Sequence, residues 1–217
     1  MDDLFEQEMQ AAIAGLQTDQ SDERKVRMHK RQRRVEMRRA TADQHLAEIW
    51  PEKLEPSTSY HFISGGDVDS LSYLLMLVQR HRIDYLMFST WCMALPDVLQ
   101  IQQWIDQGAI GRVDAYCGEI FPSQYSDEHA LLVDVVRPTG GRVAVFRNHA
   151  KLFVGFGPDL GFVVESSANI NTNPRTEQAA LHIDRGLALF YKQFYDGIKS
   201  YNRDFDAWQP LPEEALP

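Results

Sequence analysis

The sequence predicts an α/β protein with a mostly parallel mixed sheet flanked by helices and with a helical extension at the N-terminus. From Tyr60 onward, short apolar runs typical of strands alternate with longer runs typical of helices, which is the pattern of α/β folds. The first 50 residues differ, since they contain no proline and almost no glycine. A chain of 217 residues is long enough for one such domain and an appendage.

The N-terminal extension has a very uneven charge distribution. Residues 1–23 contain seven acids and no Lys or Arg, whereas residues 24–39 contain nine basic residues and one acid. No helix breaker interrupts residues 21–49, and Ser21 is a suitable N-cap, so we expect a helix there. The nine basic residues are Arg24, Lys25, Arg27, Lys30, Arg31, Arg33, Arg34, Arg38 and Arg39.

This basic block has more than one interpretation, although the net charge of the whole chain is −9. It can be a solvated helix face, or the acidic segment before it can neutralise it and act as an autoinhibitory lid. An anionic membrane is disfavoured because the block lacks the Trp, Phe and Leu of an interfacial helix. We favour a nucleic-acid partner, since a dense cluster of cations attracts a polyanion.

Breaks in composition predict four regions. These are a charged helical extension over 1–50, a linker over 51–59, the main α/β domain over 60–205 and a loose tail over 206–217. Within the domain, Pro96 suits a first helical turn, and Gly108 suits a helix end. The strands are predicted over 60–64, 83–90, 113–117, 142–147, 151–156 and 161–167, and the helices over 69–79, 96–107, 124–136 and 187–201.

The composition also limits the cellular compartment and the metal or cofactor chemistry that can be expected of this protein. Cys92 and Cys117 lie in apolar segments without a CxxC or Cys/His cluster, so both are expected in the core, and no metal or cofactor is expected. The apolar runs are too short to span a bilayer, and the N-terminus has no signal-peptide pattern. We therefore expect a cytoplasmic protein without stable membrane association.

The most informative motif joins two neighbouring predicted strands. His149 and Lys151 are two residues apart and therefore project to one face of a strand, as do Ser167 and Asn169 on the next strand. If these strands form a hairpin, the four polar groups surround one point, where lysine and asparagine can bind phosphate oxygens. Arg175 can clamp the substrate or simply pair with a surface acid.

The motif resembles that of the phospholipase D superfamily, which is His-x-Lys, then an aspartate, then Gly-Ser-x-Asn. The matching residues are His149, Lys151, Ser167 and Asn169, with Glu177 matching a downstream acid. The resemblance implies that His149 attacks phosphorus to form a phosphohistidine, and that Glu177 orients its ring. Lys151, Asn169 and Ser167 would hold the phosphate. Two positions depart from the pattern, because Phe156 replaces the aspartate and Ser166 replaces the glycine.

The mechanism implied by the resemblance needs two histidines, whereas the chain has one His-x-Lys motif. Single-motif members of the superfamily solve this as homodimers, so a C2 dimer with one composite site is expected. The expected function is that of a metal-independent phosphodiesterase acting on nucleic acid, an endonuclease with DNA more favoured than RNA. The alternatives are a degenerate nucleic-acid-binding protein and, less favoured, a phospholipid-cleaving enzyme.

Overall fold

The computed structural model describes residues 43–66, 68–170 and 175–217, and residues 42–217 form one compact unit. Residues 21–42 of the helix predicted over 21–49, including the basic block at 24–39, lie outside the described residues. The strands are β1 (Thr58–Ser64), β2 (Ile83–Thr90), β3 (Ile110–Gly118), β4 (Val143–Phe146), β5 (Leu152–Gly157), β6 (Leu160–Ser166) and β7 (Glu177–Ile183). The α-helices after residue 57 are α1 (Ser70–Val78), α2 (Leu95–Asp106), α3 (Phe121–Gln124), α4 (Ser126–Val136) and α5 (Arg185–Asp196).

The seven strands form one open sheet in the order β1-β7-β6-β5-β2-β3-β4. The pairs β2–β3 and β3–β4 are parallel, and the other four pairs are antiparallel. The predicted α/β class and mixed sheet flanked by helices are confirmed, but the parallel pairs are a minority. The reason is local, because the β5–β6 hairpin and the return of β7 reverse the chain direction in half of the sheet.

Each face of the sheet carries its own apolar core. One core contains side chains of α1, α2 and α4 together with Phe88, Phe153 and Phe162. The other core is smaller and lies under α5, where Ala188 and Tyr195 pack on the sheet. Helix α5 contacts β5 and β6, whereas β1 and β7 have few contacts with it. Part of the sheet on the α5 side is therefore open.

The N-terminal limit of this unit lies before the predicted domain start. Residues 43–49 are helical, and the buried side chains of Leu46 and Trp50 join the larger core. The Trp50 ring stacks on Phe62 at a centroid distance of 5.9 Å. Apolar contacts therefore attach the end of the predicted extension to the sheet. Among the described helices, none combines the length and the apolar content needed to cross a bilayer.

The last residues also contact the main unit, unlike the loose tail that the three prolines predict. Leu216 is buried in the smaller core, Lys192 Nζ donates to Leu211 O at 2.6 Å, and Arg112 donates to Gln209 O at 2.7 Å. A proline-rich segment has no strand or helix signal, but its backbone carbonyls can still accept hydrogen bonds from buried cations.

Candidate active site

The predicted motif residues of the two neighbouring strands lie at one end of the sheet. Three connections converge there: residues 91–94 after β2, residues 147–151 between β4 and β5, and residues 167–170 after β6. A parallel bridge pairs Met93 with Ile170, and Ser166 N donates to Lys151 O at 3.0 Å. The predicted hairpin of the two motif strands is present, with Leu152 opposite Glu165.

His149 and Lys151 are in direct contact in the connection that enters β5. Lys151 Nζ lies 3.1 Å from His149 Nδ1 and 2.6 Å from His149 O. Because an ammonium group only donates hydrogen bonds, Nδ1 is an acceptor here, and a neutral ring then carries its proton on Nε2. The His149 side chain is exposed, so a ligand can reach it from solvent.

The environment of Lys151 partly removes it from water. Burial lowers the pKa of the Lys151 ammonium, and this effect is partly opposed by the negative charge of Cys92 in its thiolate form and by Glu177. Burial in turn raises the pKa of Cys92, which therefore favours the neutral thiol. A partly desolvated ammonium gains more from an anionic ligand than one in water does.

Ser167 directly follows β6 and lies beside Glu177, the first residue of the adjacent strand β7. Ser167 Oγ donates to Glu177 Oε2, and Gln178 N donates to Ser167 Oγ at 3.0 Å. In the described part of the chain, the His149 ring contacts Lys151 and Trp91 rather than Glu177. The carboxylate is therefore bonded to the serine of the motif and not to the histidine.

Asn169 and Arg175 flank the undescribed residues 171–174. Asn169 is half-buried, and its Oδ1 is buried without a hydrogen-bond partner among the described residues. Buried amide oxygens are normally bonded, so the Asn169 side chain has unused hydrogen-bonding capacity at the site. The Arg175 side chain is exposed.

Asn148 anchors the connection that carries His149, a role that the sequence analysis did not assign. Its buried Nδ2 donates to Ser89 Oγ at 2.9 Å, to Thr90 O at 3.2 Å and to Tyr116 O at 3.0 Å. Its Oδ1 accepts from Ala150 N at 3.1 Å. One side chain thus attaches the segment on both sides of His149 to the ends of β2 and β3. The position of Asn148 next to the histidine is the only sequence signal for this role.

Trp91 forms one wall of the site. Its ring centroid is 5.8 Å from that of His149, at an interplanar angle of 53°. Trp91 packs closely against Gly118 at the end of β3. Only glycine leaves room for this contact, because a Cβ at position 118 would lie 2.5 Å from Trp91 Cδ1 and 2.8 Å from Trp91 O. A glycine that ends a strand is the sequence signal for such a close approach.

A groove of about 410 Å³ runs from the motif serines along the open side of the sheet. His61, Ile63 and Glu165 line it together with Ser166 and Ser167. Glu165 accepts a hydrogen bond from Tyr191 of α5, which shows that this groove is on the α5 side of the sheet. The described residues contain no group of three His, Cys, Asp or Glu side chains arranged to hold a metal ion.

The position of the missing motif aspartate is far from these groups. Phe156 is fully buried in β5, opposite Gly161, and its ring centroid is 6.1 Å from that of Tyr85. Phe156 is five positions after Lys151, which corresponds to about 16 Å along a strand. A side chain at position 156 therefore packs in the smaller core and does not reach Lys151 or His149.

Comparisons with known proteins agree with this architecture at the level of the fold. Polyphosphate kinase from Porphyromonas gingivalis superposes with a TM-score of 0.52 and 15% identity, over 74% of this chain and 30% of the kinase. Phosphatidylserine synthase from Haemophilus influenzae superposes with a TM-score of 0.50 and 15% identity, over 75% of this chain and 46% of the synthase. This chain thus aligns with less than half of either protein.

A third structure, NucT from Helicobacter pylori, has a TM-score of 0.49 and 16% identity, over 64% of this chain and 92% of NucT. No protein-family model matches the chain, and no curated protein matches it. The seven-stranded sheet, the hairpin with its motif residues and the two longer superpositions lead to one conclusion: the chain has the fold of the phospholipase D superfamily.

Proposed function

We propose that the protein is a metal-independent phosphodiesterase that cleaves nucleic acid, an endonuclease acting through a phosphohistidine. The observation that carries the proposal is the contact between His149 and Lys151 at 3.1 Å, at the end of the sheet where Ser167 and Asn169 follow β6. His149 can act as a nucleophile, Lys151 supplies a cation and the amide nitrogen of Asn169 is a neutral donor, and together they suit a phosphodiester.

The proposed reaction has two displacements. A nitrogen of His149 attacks phosphorus, and the bond from phosphorus to the leaving oxygen breaks as a second histidine protonates that oxygen. That second histidine then removes a proton from water, which attacks phosphorus and releases His149. Lys151 and Asn169 hold the equatorial oxygens. A bound phosphate competes with the His149 ring for the ammonium of Lys151, which frees the ring for attack.

The second histidine is proposed to be the His149 of another copy of this chain in a C2 dimer. Apolar groups on the open side of the sheet support dimerisation. Ile63 is 81% exposed, and Phe190 and Phe194 on α5 are 64% and 61% exposed. All three lie on the α5 side of the molecule. Large exposed apolar side chains on one side of a molecule favour an interface there.

Nucleic acid is proposed as the substrate because of the basic block at 24–39, which adds nine cations near the domain in sequence. DNA is favoured over RNA as the first substrate to test. A phospholipid is less favoured as the substrate, since the sequence has no apolar segment suited to binding at a membrane surface. Binding through phosphate contacts predicts little sequence preference and an affinity that falls steeply with salt.

One observation favours a second candidate, a nucleic-acid-binding protein without catalysis. Glu177 accepts from Ser167 rather than from the His149 ring, so the described contacts of the ring include no carboxylate that orients it. A binding protein of this kind would keep its affinity after His149→Ala and would show no turnover in either form.

The test is cleavage of plasmid and single-stranded DNA in excess EDTA by the wild type and by the His149→Ala variant. The matched control is His45→Ala, which removes an exposed histidine outside the site. Cleavage that survives chelation, vanishes in His149→Ala and persists in His45→Ala supports the proposal. A gel shift by all three proteins without cleavage supports the binding protein instead.

A mixing experiment tests the composite site separately. Wild-type and His149→Ala chains are co-refolded at equal concentration, so that random pairing yields one wild-type dimer in four. A site that needs two His149 side chains retains about one quarter of the wild-type activity, whereas independent sites retain about one half. Half of the activity would refute the composite site and leave the phosphodiesterase proposal standing.

A further inference from the structure

A second cavity lies at the opposite end of β4 from His149. Its volume is about 290 Å³, and its wall includes Arg142 and Val143, where β4 begins. The rest of the wall comes from the C-terminal segment, with Lys199, Ser200, Asn202, Phe205, Asp206 and Trp208. The four residues of β4, Val143–Phe146, lie between Arg142 and the connection over 147–151 that carries His149. The cavity is therefore distinct from the candidate active site.

Arg142 is the central feature of this cavity. It is only 8% exposed, and its Nη2 donates to Tyr116 OH at 3.1 Å and to Tyr195 O at 3.0 Å. Its guanidinium carbon lies 3.6 Å from the ring centroid of Trp208. Both hydrogen-bond acceptors are neutral, and Nε has no acceptor among the described residues. The side chain is therefore well ordered but retains donor capacity and an unpaired charge.

The nearby carboxylates of Asp114 and Asp196 do not neutralise Arg142. Asp114 Oδ2 lies 3.5 Å from Arg112, and Asp196 Oδ2 lies 2.6 Å from Lys192, so each acid already has a cation. The only contact between Arg142 and Asp114 is from the backbone, where Arg142 N donates to Asp114 Oδ1 at 2.9 Å. Within the described part of the chain, Arg142 makes no ion pair. A buried cation of this kind is costly unless an anion completes its environment.

The wall of the cavity is fixed by specific contacts. Trp208 Nε1 donates to the buried Asp114 Oδ1 at 2.8 Å. Tyr201 N donates to Val145 O at 2.7 Å, and Val145 N donates to Ser200 Oγ at 2.9 Å, which attaches the segment to the edge of β4. These contacts hold the wall of the cavity in place beside Arg142.

We infer that this cavity binds the phosphate group of a small organic phosphate, with Arg142 and Lys199 as the cationic partners. Two cations and one acid, Asp206, line it, so its charge favours an anion. The planar guanidinium suits the oxygen pairs of a phosphate. A volume of about 290 Å³ exceeds that of phosphate alone, and the rings of Phe205 and Trp208 can contact the organic part. This inference does not depend on the proposed nuclease activity.

The test is calorimetric titration of the full chain with inorganic phosphate and with adenosine monophosphate. All proteins carry Lys151→Ala, so that phosphate binding at the candidate active site does not contribute. Lys199→Gln and Asp206→Asn are compared in this background, and because both side chains are exposed, folding should be retained. Circular dichroism verifies the fold of each variant.

We expect saturable binding in the Lys151→Ala background, weakened about fivefold by Lys199→Gln and tightened about twofold by Asp206→Asn. Tighter binding of the nucleotide than of phosphate identifies an organic phosphate, and equal binding identifies free phosphate as the ligand. Loss of all binding in the Lys151→Ala background would mean that phosphate binds only at the candidate active site. That result, or equal affinity of both variants and their parent, would overturn the inference.

Discussion

The hydrogen bonds of Asn148 predict that Asn148→Ala destabilises the protein and impairs catalysis at His149. Asn148 is 7% exposed and bonds four partners: Ser89, Thr90 O, Tyr116 O and Ala150 N. At about 1 kcal/mol for each net hydrogen bond, and with some compensation by water, the free energy of unfolding should fall by about 3 kcal/mol. For a chain of this size, the melting temperature should fall by roughly 10 °C.

The assay is urea unfolding of Asn148→Ala, Ser89→Ala and the double variant, followed by fluorescence. Ser89→Ala leaves Asn148 three of its partners and should cost about 1 kcal/mol, and the double variant should cost less than the sum. At a temperature where Asn148→Ala is folded, its kcat should still be reduced, because Ala150 N no longer holds the segment that carries His149. A loss below about 1 kcal/mol, or an unchanged kcat in the folded variant, would refute the anchoring role.

Three further predictions follow from the site and its surroundings. Gly118→Ala forces a Cβ against Trp91 and should cost about 1–3 kcal/mol of stability by urea unfolding, whereas Gly65→Ala meets nothing within 4 Å and should cost much less. Ile63→Glu should leave the monomer folded but abolish the proposed dimer, measured by ultracentrifugation, and with it the proposed cleavage; a stable dimer would exclude this face. Because burial lowers the folded-state pKa of Lys151, stability should rise as pH increases from that pKa towards 10.5, the value from which it is lowered. Lys151→Met should remove this rise and increase the urea midpoint while abolishing cleavage, and a lower midpoint would contradict the desolvation cost.

Strand and helix patterns predict most of the fold because they are local in sequence. The β5–β6 hairpin illustrates this, since both strands are apolar and a Gly-Pro-Asp turn joins them. Strand β7 is absent from the prediction, because Glu177–Ile183 contains Glu, Gln and Ala in place of β-branched residues. It becomes a strand because β1 and β6 pair with it on both sides. Tertiary pairing here overrides weak local propensity.

The candidate site shows the same division between local and distant information. His149 and Lys151 are recognisable because they are two residues apart, and their contact is fixed by that spacing. The bond between Asn148 and Ser89 joins residues 59 positions apart, and no periodicity in one sequence reports such a pair. The partner of Glu177 could not be predicted either, since it depends on the register of β6 against β7.

The burial of Phe156 has a consequence for engineering. A designer guided by the superfamily motif would restore aspartate at position 156 in order to recover activity. In this chain the change would place a carboxylate in a fully buried position beside Tyr85 and should cost about 4 kcal/mol or more. In this chain, the residue type at position 156 reflects the packing of the smaller core rather than the reactivity of the candidate site. In this chain, the missing motif aspartate is therefore not an argument against the proposed activity.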